Sequence, residues 1–259
     1  AVRNKAFEIT PTSRIIRVTR RPWPERESPM KTISKIALTL LASLAPAFAA
    51  EPLYKTDFEA TDVGAEPEGF LVIDGQFAVR EFDGGKVFEL PGSPLESFGF
   101  LFGPNISFND AGTRFKTTAS GEAQELAGVV VSTRAHGAKQ GRRFPTFSVG
   151  LCGVSGYKLR MAPMKRALEL VRGDETVASL EFDWPSGEWT RLKLQVRMAD
   201  GQWIAEGKAW AESATEPADW QVTHASTDKP NPGRPSAWAA PFSGQPVRFD
   251  DLLVEASGQ

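Results

Sequence analysis

Short runs of alternating or β-branched residues recur about every ten positions from Leu53 to the end of the chain. None of them keeps a helical period of 3.6 residues over three capped turns. The runs cover residues 53–59, 69–73, 76–81, 86–90, 98–102, 113–119, 127–133, 146–151, 157–161, 167–171, 177–182, 190–198, 202–211, 220–224 and 246–255. Many short strands separated by turn signals predict an all-β domain, either a sandwich or a barrel.

The connections between these runs carry the turn chemistry of tight hairpins. Examples are Asp74-Gly75, Asp83-Gly84-Gly85, Gly173-Asp174 and Asp200-Gly201, where a positive φ costs little. Most strands are therefore expected to have antiparallel neighbours. The segment from Ser226 to Pro246 differs, because it contains five prolines and two glycines. It is predicted to be a long surface loop before the last strand, either lining a site or passing over the surface without a role.

The segment before the first strand has the order of a secretory signal. Lys31 and Lys35 precede an apolar stretch at 36–44, and Ala47-Phe48-Ala49 is a small-residue cleavage site. The stretch is shorter than the roughly 20 residues that span a bilayer, so we expect a removed signal over 30–49 and no transmembrane anchor in the mature chain. A buried amphipathic helix is the alternative.

Residues 1–29 then precede Met30, which we take as the true start, with the extension read from upstream DNA. Thr19-Arg20-Arg21 leaves a twin-arginine signal as the alternative, although Pro22 and Pro24 follow it. The mature chain would be a single domain over 50–259. This protein is expected to be exported, and to be periplasmic or extracellular in a bacterium.

Removal of the leader makes the protein distinctly acidic. The first 49 residues contain nine of the 30 basic and three of the 32 acidic side chains, which leaves 21 and 29, a net charge of about −8. Nucleic-acid binding rests on a basic footprint, so it is excluded as a function. Cys152 is the single cysteine and forms no intrachain disulfide, and two histidines are too few for a His-rich zinc site.

Three stretches carry a resemblance to a known superfamily. They are the opening strand at 54–59, the pair formed by W-x-x-L-x-L-x-V at Trp189–Val196 and the run Gly201–Trp210, and the closing F-D-D-L-L-V at Phe249–Val254. Together with Glu216–Trp220 they resemble the concanavalin A-like lectin/glucanase superfamily, in its laminin-G-like secreted bacterial branch. The resemblance implies a two-sheet antiparallel jelly-roll sandwich whose concave sheet often binds glycan.

Some members of that superfamily are glycosidases or polysaccharide lyases, but their signatures are missing here. The glucanase patterns E-x-D-x-x-E and E-x-D-x-E do not occur, and Glu81-Phe82-Asp83 and Glu181-Phe182-Asp183 lack the last carboxylate. The Q-[IV]-H of jelly-roll alginate lyases is also absent. No catalytic residue is therefore assigned. His136, in a basic Gly-rich loop, and Tyr157 are the weak candidates for a lyase-like acid/base pair, with a plain surface loop as the alternative.

Four acids are expected to meet where the first and last strands lie side by side. Asp57 and Glu59 follow the first strand, and Asp250 and Asp251 lie in the last. Carboxylates at contact distance repel one another, and Ca²⁺ prefers six to eight oxygen ligands of this kind. A structural calcium site is one prediction for this seam, and a solvated sheet edge is the other.

A basic face with aromatic residues is the candidate ligand site. Arg191, Lys193 and Arg197 alternate with apolar residues on one strand, while Lys158 and Arg160, and Arg114 and Lys116, lie on two others. Sugars stack on aromatic rings and are hydrogen-bonded by charged groups, and Arg forks favour sulfate or uronate. The aromatic candidates are Trp184, Trp203, Trp238 and Tyr157. A solvated face with Trp rings in the core is the alternative.

Three functions follow from these patterns. The first is an exported, non-catalytic, lectin-like carbohydrate-binding module whose partner is a glycan or polysaccharide. The second is a polysaccharide-active lyase or glycoside hydrolase on the same fold. The third is a structural or adhesive protein of the envelope.

Overall fold

The longest alternating run of the sequence forms a strand from Trp189 to Ala199. Its Leu192, Leu194 and Val196 are fully buried, whereas Arg191 and Lys193 lie half-buried on the opposite face. Successive side chains of a strand point to opposite faces, so this run gives the sheet one apolar face and one charged face.

The computed structural model describes residues 51–93, 96–109, 114–118, 121–153 and 155–257, with the backbone alone at 114–118 and 121. All of them belong to one compact unit, Phe48–Gln259. The predicted extension at 1–29, the predicted signal at 30–49 and the predicted mature N-terminus Ala50 lie outside the described residues. In the described part, no helix is long and apolar enough to cross a membrane.

The strands follow one another closely along the chain. In chain order they are β1 (Tyr54–Thr56), β2 (Leu71–Asp74), β3 (Ala78–Phe82), β4 (Gly85–Leu90), β5 (Phe98–Leu101), β6 (Ile106–Phe108), β7 (Arg114–Thr118), β8 (Gly121–Leu126), β9 (Gly128–His136), β10 (Thr146–Leu151), β11 (Tyr157–Ala162), β12 (Ala167–Arg172), β13 (Glu175–Glu181), β14 (Trp189–Ala199), β15 (Gln202–Ala211), β16 (Val222–Ser226), β17 (Ser236–Ala240) and β18 (Val247–Ala256). A single 3₁₀ turn over Pro163–Lys165 joins β11 to β12 in the described part of the chain.

Two large antiparallel sheets contain most of these strands. The eight-stranded sheet has the order β16-β15-β14-β9-β18-β4-β3, with β1 paired to β18, and the seven-stranded sheet has the order β13-β12-β11-β10-β17-β5-β2. Val131 and Phe249 from the first sheet and Val149 and Phe100 from the second belong to one buried core cluster. The sheets therefore stack face to face, and the all-β jelly-roll prediction is confirmed.

A small third sheet was not predicted from the sequence. It has the order β6-β8-β7, and β6 and β8 run parallel to each other. Strand β7 contains Arg114 and Lys116, whose side chains lie outside the description.

The first and last strands pair, as the sequence predicts. Tyr54 lies opposite Val254 and Thr56 lies opposite Leu252. Phe58, just after β1, and Phe249, in β18, are both fully buried members of the core. This pairing fastens the beginning of the domain to its end.

Two local predictions were wrong. Segment 226–246 contains strand β17, which lies between β10 and β5 inside the seven-stranded sheet. Pro235 and Pro241 stand at its two ends, so the residues between them keep the backbone N–H groups that a central strand needs. The Asp74-Gly75 turn does not close a hairpin, because β2 and β3 belong to different sheets.

Candidate functional site

The outer face of the seven-stranded sheet carries a row of functional side chains. Phe147 and Val149 point into the core, so Ser148 between them points outward. The strand registers place Glu169, Arg160, Ser148, Trp238 and Gly99 opposite one another in that order across five strands. Charged, hydroxyl and aromatic groups thus stand side by side on one surface.

Trp238 and Lys158 meet on this face because two glycines leave room for them. A Cβ built on Gly99 would come within 2.4 Å of the Trp238 ring, and one on Gly150 would lie 2.7 Å from Ser236 Oγ and 3.2 Å from Lys158 Cγ. The Lys158 ammonium nitrogen lies 5.1 Å from the centroid of the Trp238 ring, which is cation–π distance. The ring is half-buried, so part of it remains open to a ligand.

A cleft of about 490 Å³ lies over this row. Phe144 precedes β10, Met164 lies in the turn after β11, and Phe242 follows β17. Because these strands are antiparallel neighbours, the three loops meet at one end of the sheet. Met164 is 68% exposed and Phe242 is 38% exposed, and both line the cleft. The cleft therefore combines an apolar rim with a polar floor, as small-molecule sites do.

Glu169 links two of the cations beside the cleft. Its side chain is 5% exposed, and it accepts hydrogen bonds from Arg160 Nε at 2.8 Å and Lys165 Nζ at 2.8 Å. Burial alone would raise the pKa of Glu169, but the hydrogen bonds and charges of Lys165 and Arg160 outweigh it and lower that pKa. Glu169 thus holds Arg160 in place.

Lys158 has a different environment. It has no ion-pair partner within 4.0 Å in the described part of the chain, and its ammonium faces the Trp238 ring instead. Burial lowers the pKa of Lys158, the charge of Asp174 raises it, and the charge of Arg160 lowers it again. The cleft floor therefore contains a cation that no carboxylate neutralises at contact distance.

The three predicted cations of β14 lie on the other sheet, and carboxylates pair with all three. Arg191 contacts Glu212 at 2.6 Å and Asp251 at 2.9 Å. Lys193 contacts Glu216 at 3.0 Å, and Arg197 contacts Glu206 at 3.1 Å. The predicted basic face is thus divided: Arg160, Lys158 and Trp238 come together in the cleft, and the β14 cations do not join them.

The other two tryptophan candidates are not part of the cleft. Trp203 is 4% exposed and packs against Phe108 in the core, with ring centroids 5.4 Å apart. Trp184 packs against the core, where it contacts Phe147, and its indole N–H donates to Thr190 Oγ1 at 3.2 Å. Of the predicted tryptophans, Trp238 alone lines the cleft.

The four acids of the predicted seam are held by other partners. Asp250 Oδ2 lies 2.7 Å from Arg134 Nη2, and Asp251 Oδ2 lies 2.9 Å from Arg191 Nη2. Asp57 Oδ1 accepts from the Glu59 backbone N–H, and Glu59 Oε1 accepts from that of Lys86. The described residues contain no group of three or more His, Cys, Asp or Glu side chains that would hold a metal ion. These acids do not fit the expected calcium site.

His136 and Tyr157 do not form an acid/base pair. His136 ends β9 and does not lie in a loop, because the strand continues beyond the predicted run to pair with Trp189 and Arg248. Its ring packs between Phe82 and Trp189, and burial lowers the pKa of His136. Tyr157 is buried in the other sheet, and burial raises the pKa of its hydroxyl.

Comparison with known proteins concerns the fold. No protein-family model and no curated protein sequence matches the chain. Among solved structures, the chain is similar to the carbohydrate recognition domain of Emp46p in its potassium-bound form, with 10% identity, 80% of this chain and 97% of that chain covered, and a TM-score of 0.52. A point mutant of the same domain gives 10% identity, 81% and 99% coverage, and a TM-score of 0.52.

The fold is a concanavalin A-like jelly roll. The superfamily resemblance seen in the sequence is thereby confirmed at the level of the fold, while the laminin-G-like branch stays a prediction. At this identity the concanavalin A-like similarity concerns architecture and not ligand.

Sequence reasoning missed several residues of the cleft: Ser148, Glu169, Phe144, Met164 and Phe242. Phe144 and Phe242 are almost one hundred positions apart, and the pairing of β10 with β17 brings them together. The sequence shows that Phe144 lies close to a predicted strand. It does not show that Phe242 lies beside Phe144 in the folded protein.

Proposed function

We propose that this protein is an exported, non-catalytic carbohydrate-binding module, and that it holds a glycan in the cleft around Trp238. This proposal rests on the half-buried Trp238 ring, with Arg160 and Lys158 on the same sheet face and the buried Ser148 on the strand between them. An aromatic ring gives the apolar face of a sugar a stacking surface, and the charged and hydroxyl groups bind its hydroxyls.

The fold supports this choice of ligand. The Emp46p domain, which shares the architecture, is described as a carbohydrate recognition domain. The site itself is argued from the residues of this chain. Calcium has no place in the proposal, because arginines neutralise Asp250 and Asp251.

The mature chain is proposed to begin at Ala50, in the periplasm or outside a bacterial cell. The charged, apolar and small-residue order of 30–49 supports this location. Expression of the full chain in a bacterium, followed by N-terminal sequencing of the exported material, tests it. A chain that stays in the cytoplasm with residues 30–49 intact would contradict export.

A glycan array probed with the purified protein tests the function, with Trp238→Ala as the informative variant. We expect the parent protein to bind at least one class of polysaccharide. Trp238→Ala should lower the affinity about tenfold or more, because the stacking surface is lost and the sugar is no longer held against the hydrogen-bonding groups beside it. Trp210→Ala is the matched control, because Trp210 is a half-buried tryptophan of β15 in the other sheet. It should bind like the parent protein.

Two outcomes favour the other functions. Release of reducing ends or of unsaturated products from a bound polysaccharide would show an enzyme. Failure to bind any glycan, combined with concentration-dependent self-association, would favour a structural protein of the envelope.

A further inference from the structure

The cations of the cleft differ from six cations on the outer face of the other large sheet. On the outer face of the eight-stranded sheet, Arg134, Arg191, Lys193, Arg197, Lys208 and Arg248 all lie within 3.5 Å of a carboxylate. In the cleft, Lys158, Arg160 and Lys165 face the single carboxylate of Glu169 among the lining residues that the structure describes. The described lining of the cleft therefore carries a net positive charge, with three cations against one carboxylate.

The position of Lys158 determines which kind of sugar this positive charge would favour. Its ammonium lies over the Trp238 ring, the surface on which a sugar would stack. A neutral sugar would have to displace the ammonium from the ring and give it no charged partner in return. A sugar with an anionic group would instead supply the missing counter-charge, and charge-assisted hydrogen bonds are the stronger class.

We infer that the glycan held at Trp238 is anionic, with a carboxylate or sulfate group placed at Lys158. This inference rests on the proposed function and narrows it to a ligand class. The ring of the sugar stacks on Trp238, its anionic group pairs with Lys158, and Arg160, oriented by Glu169, binds a neighbouring oxygen.

Matched pairs of polysaccharides separate charge from sugar. Polygalacturonate and its fully methyl-esterified form differ in the uronate charge, and dextran sulfate and dextran differ in the sulfate. We expect the anionic member of at least one pair to bind about tenfold more tightly at low salt. The preference should shrink when salt shortens the Debye length to about 3 Å near 1 M. The pair that shows the preference identifies the anionic group.

Variants of Lys158 test the assignment. Lys158→Met should remove most of the preference, a change of about tenfold, while Lys158→Arg keeps the charge and should retain it. Lys193→Gln is the matched control, because Lys193 is a half-buried cation on the other sheet. It should leave the preference unchanged. If Lys158→Met unfolds, the comparison between Lys158→Arg and Lys158→Gln serves instead.

The two proposals fail in different ways. Equal binding of charged and neutral members, still lost in Trp238→Ala, would overturn the inference and leave the carbohydrate-binding function standing. A preference for anions that persists in both Lys158→Met and Lys158→Gln would overturn the inference as well, because a residue other than Lys158 would then bind the anionic group. No binding to any polysaccharide would overturn both.

Discussion

The indole ring of Trp238 occupies the space that a side chain at Gly99 would need. The two residues lie opposite each other on β17 and β5, and a Cβ on Gly99 would approach the ring to 2.4 Å. Side chains in a packed site tolerate little overlap, so the absence of a side chain at Gly99 sets the position of the ring. A glycine that costs some strand stability thereby shapes the cleft.

Gly99→Ala is expected to move the Trp238 ring and to weaken both folding and glycan binding. Overpacking of this kind costs about 1–3 kcal/mol, partly offset by the better strand propensity of alanine. Denaturant unfolding and glycan titration measure the two effects. In the Trp238→Ala background the same substitution should cost much less, and an equal cost in both backgrounds would contradict the contact.

Glu169 should make stability depend on acid pH. The pKa of Glu169 is lowered in the folded protein. Its carboxylate therefore contributes its full share to folding stability above pH 4.5, its ordinary pKa, and this share is lost as the pH falls through the pKa of the folded protein. Glu169→Gln should destabilise by about 1–3 kcal/mol at pH 7, because Arg160 and Lys165 lose a charged partner.

Thermal melts of the parent and Glu169→Gln between neutral and strongly acid pH check this. The difference between the two melting temperatures should narrow as the carboxylate of the parent is protonated. A difference that stays constant over the whole range would show that the ion pairs with Glu169 contribute nothing. Glu181→Gln, which removes an exposed carboxylate paired with Arg166, is the control.

The double variant Arg191→Ala, Arg197→Ala should leave glycan affinity unchanged. Both arginines lie on the eight-stranded sheet and pair with carboxylates there, whereas the cleft lies on the seven-stranded sheet. Glu206 is 8% exposed, so Arg197→Ala leaves a buried carboxylate without its cation, and the melting temperature should fall although the glycan affinity does not. A tenfold loss of affinity would move the binding site to this face.

A metal chelator is expected to leave the melting temperature unchanged. Arg134 and Arg191 neutralise Asp250 and Asp251, so these carboxylates need no cation to stay ionised together. A melt with and without chelator tests this in the parent protein. If the chelator lowers the melting temperature and Asp251→Ala abolishes that effect, the acids of the seam bind a metal after all.

Local patterns in the sequence were enough to predict most of the strands and, in the alternating ones, which side chains point inward. Leu192, Leu194 and Val196 alternate with polar residues and are fully buried, because successive side chains of a strand point to opposite faces of the sheet. The pairing of β1 with β18 followed from the superfamily motifs and from no local signal. Three of the strands that the structure describes were not predicted: β6, β8 and β17. The Ser-Ala-Trp-Ala-Ala run of β17, between prolines, has no alternation of polar and apolar residues to mark it as a strand.

Only the tertiary structure decided which charged residues share a surface. Arg160 and Arg191 look alike in sequence, each alternating with apolar residues on a strand. One lies beside Trp238 and the other beside Glu212 and Asp251, because strand pairing is set by contacts between distant segments. The candidate site exists because of that strand pairing. Backbone hydrogen bonds of the sheet place Trp238 opposite Ser148 and Gly99. No short stretch of the chain encodes this arrangement by itself.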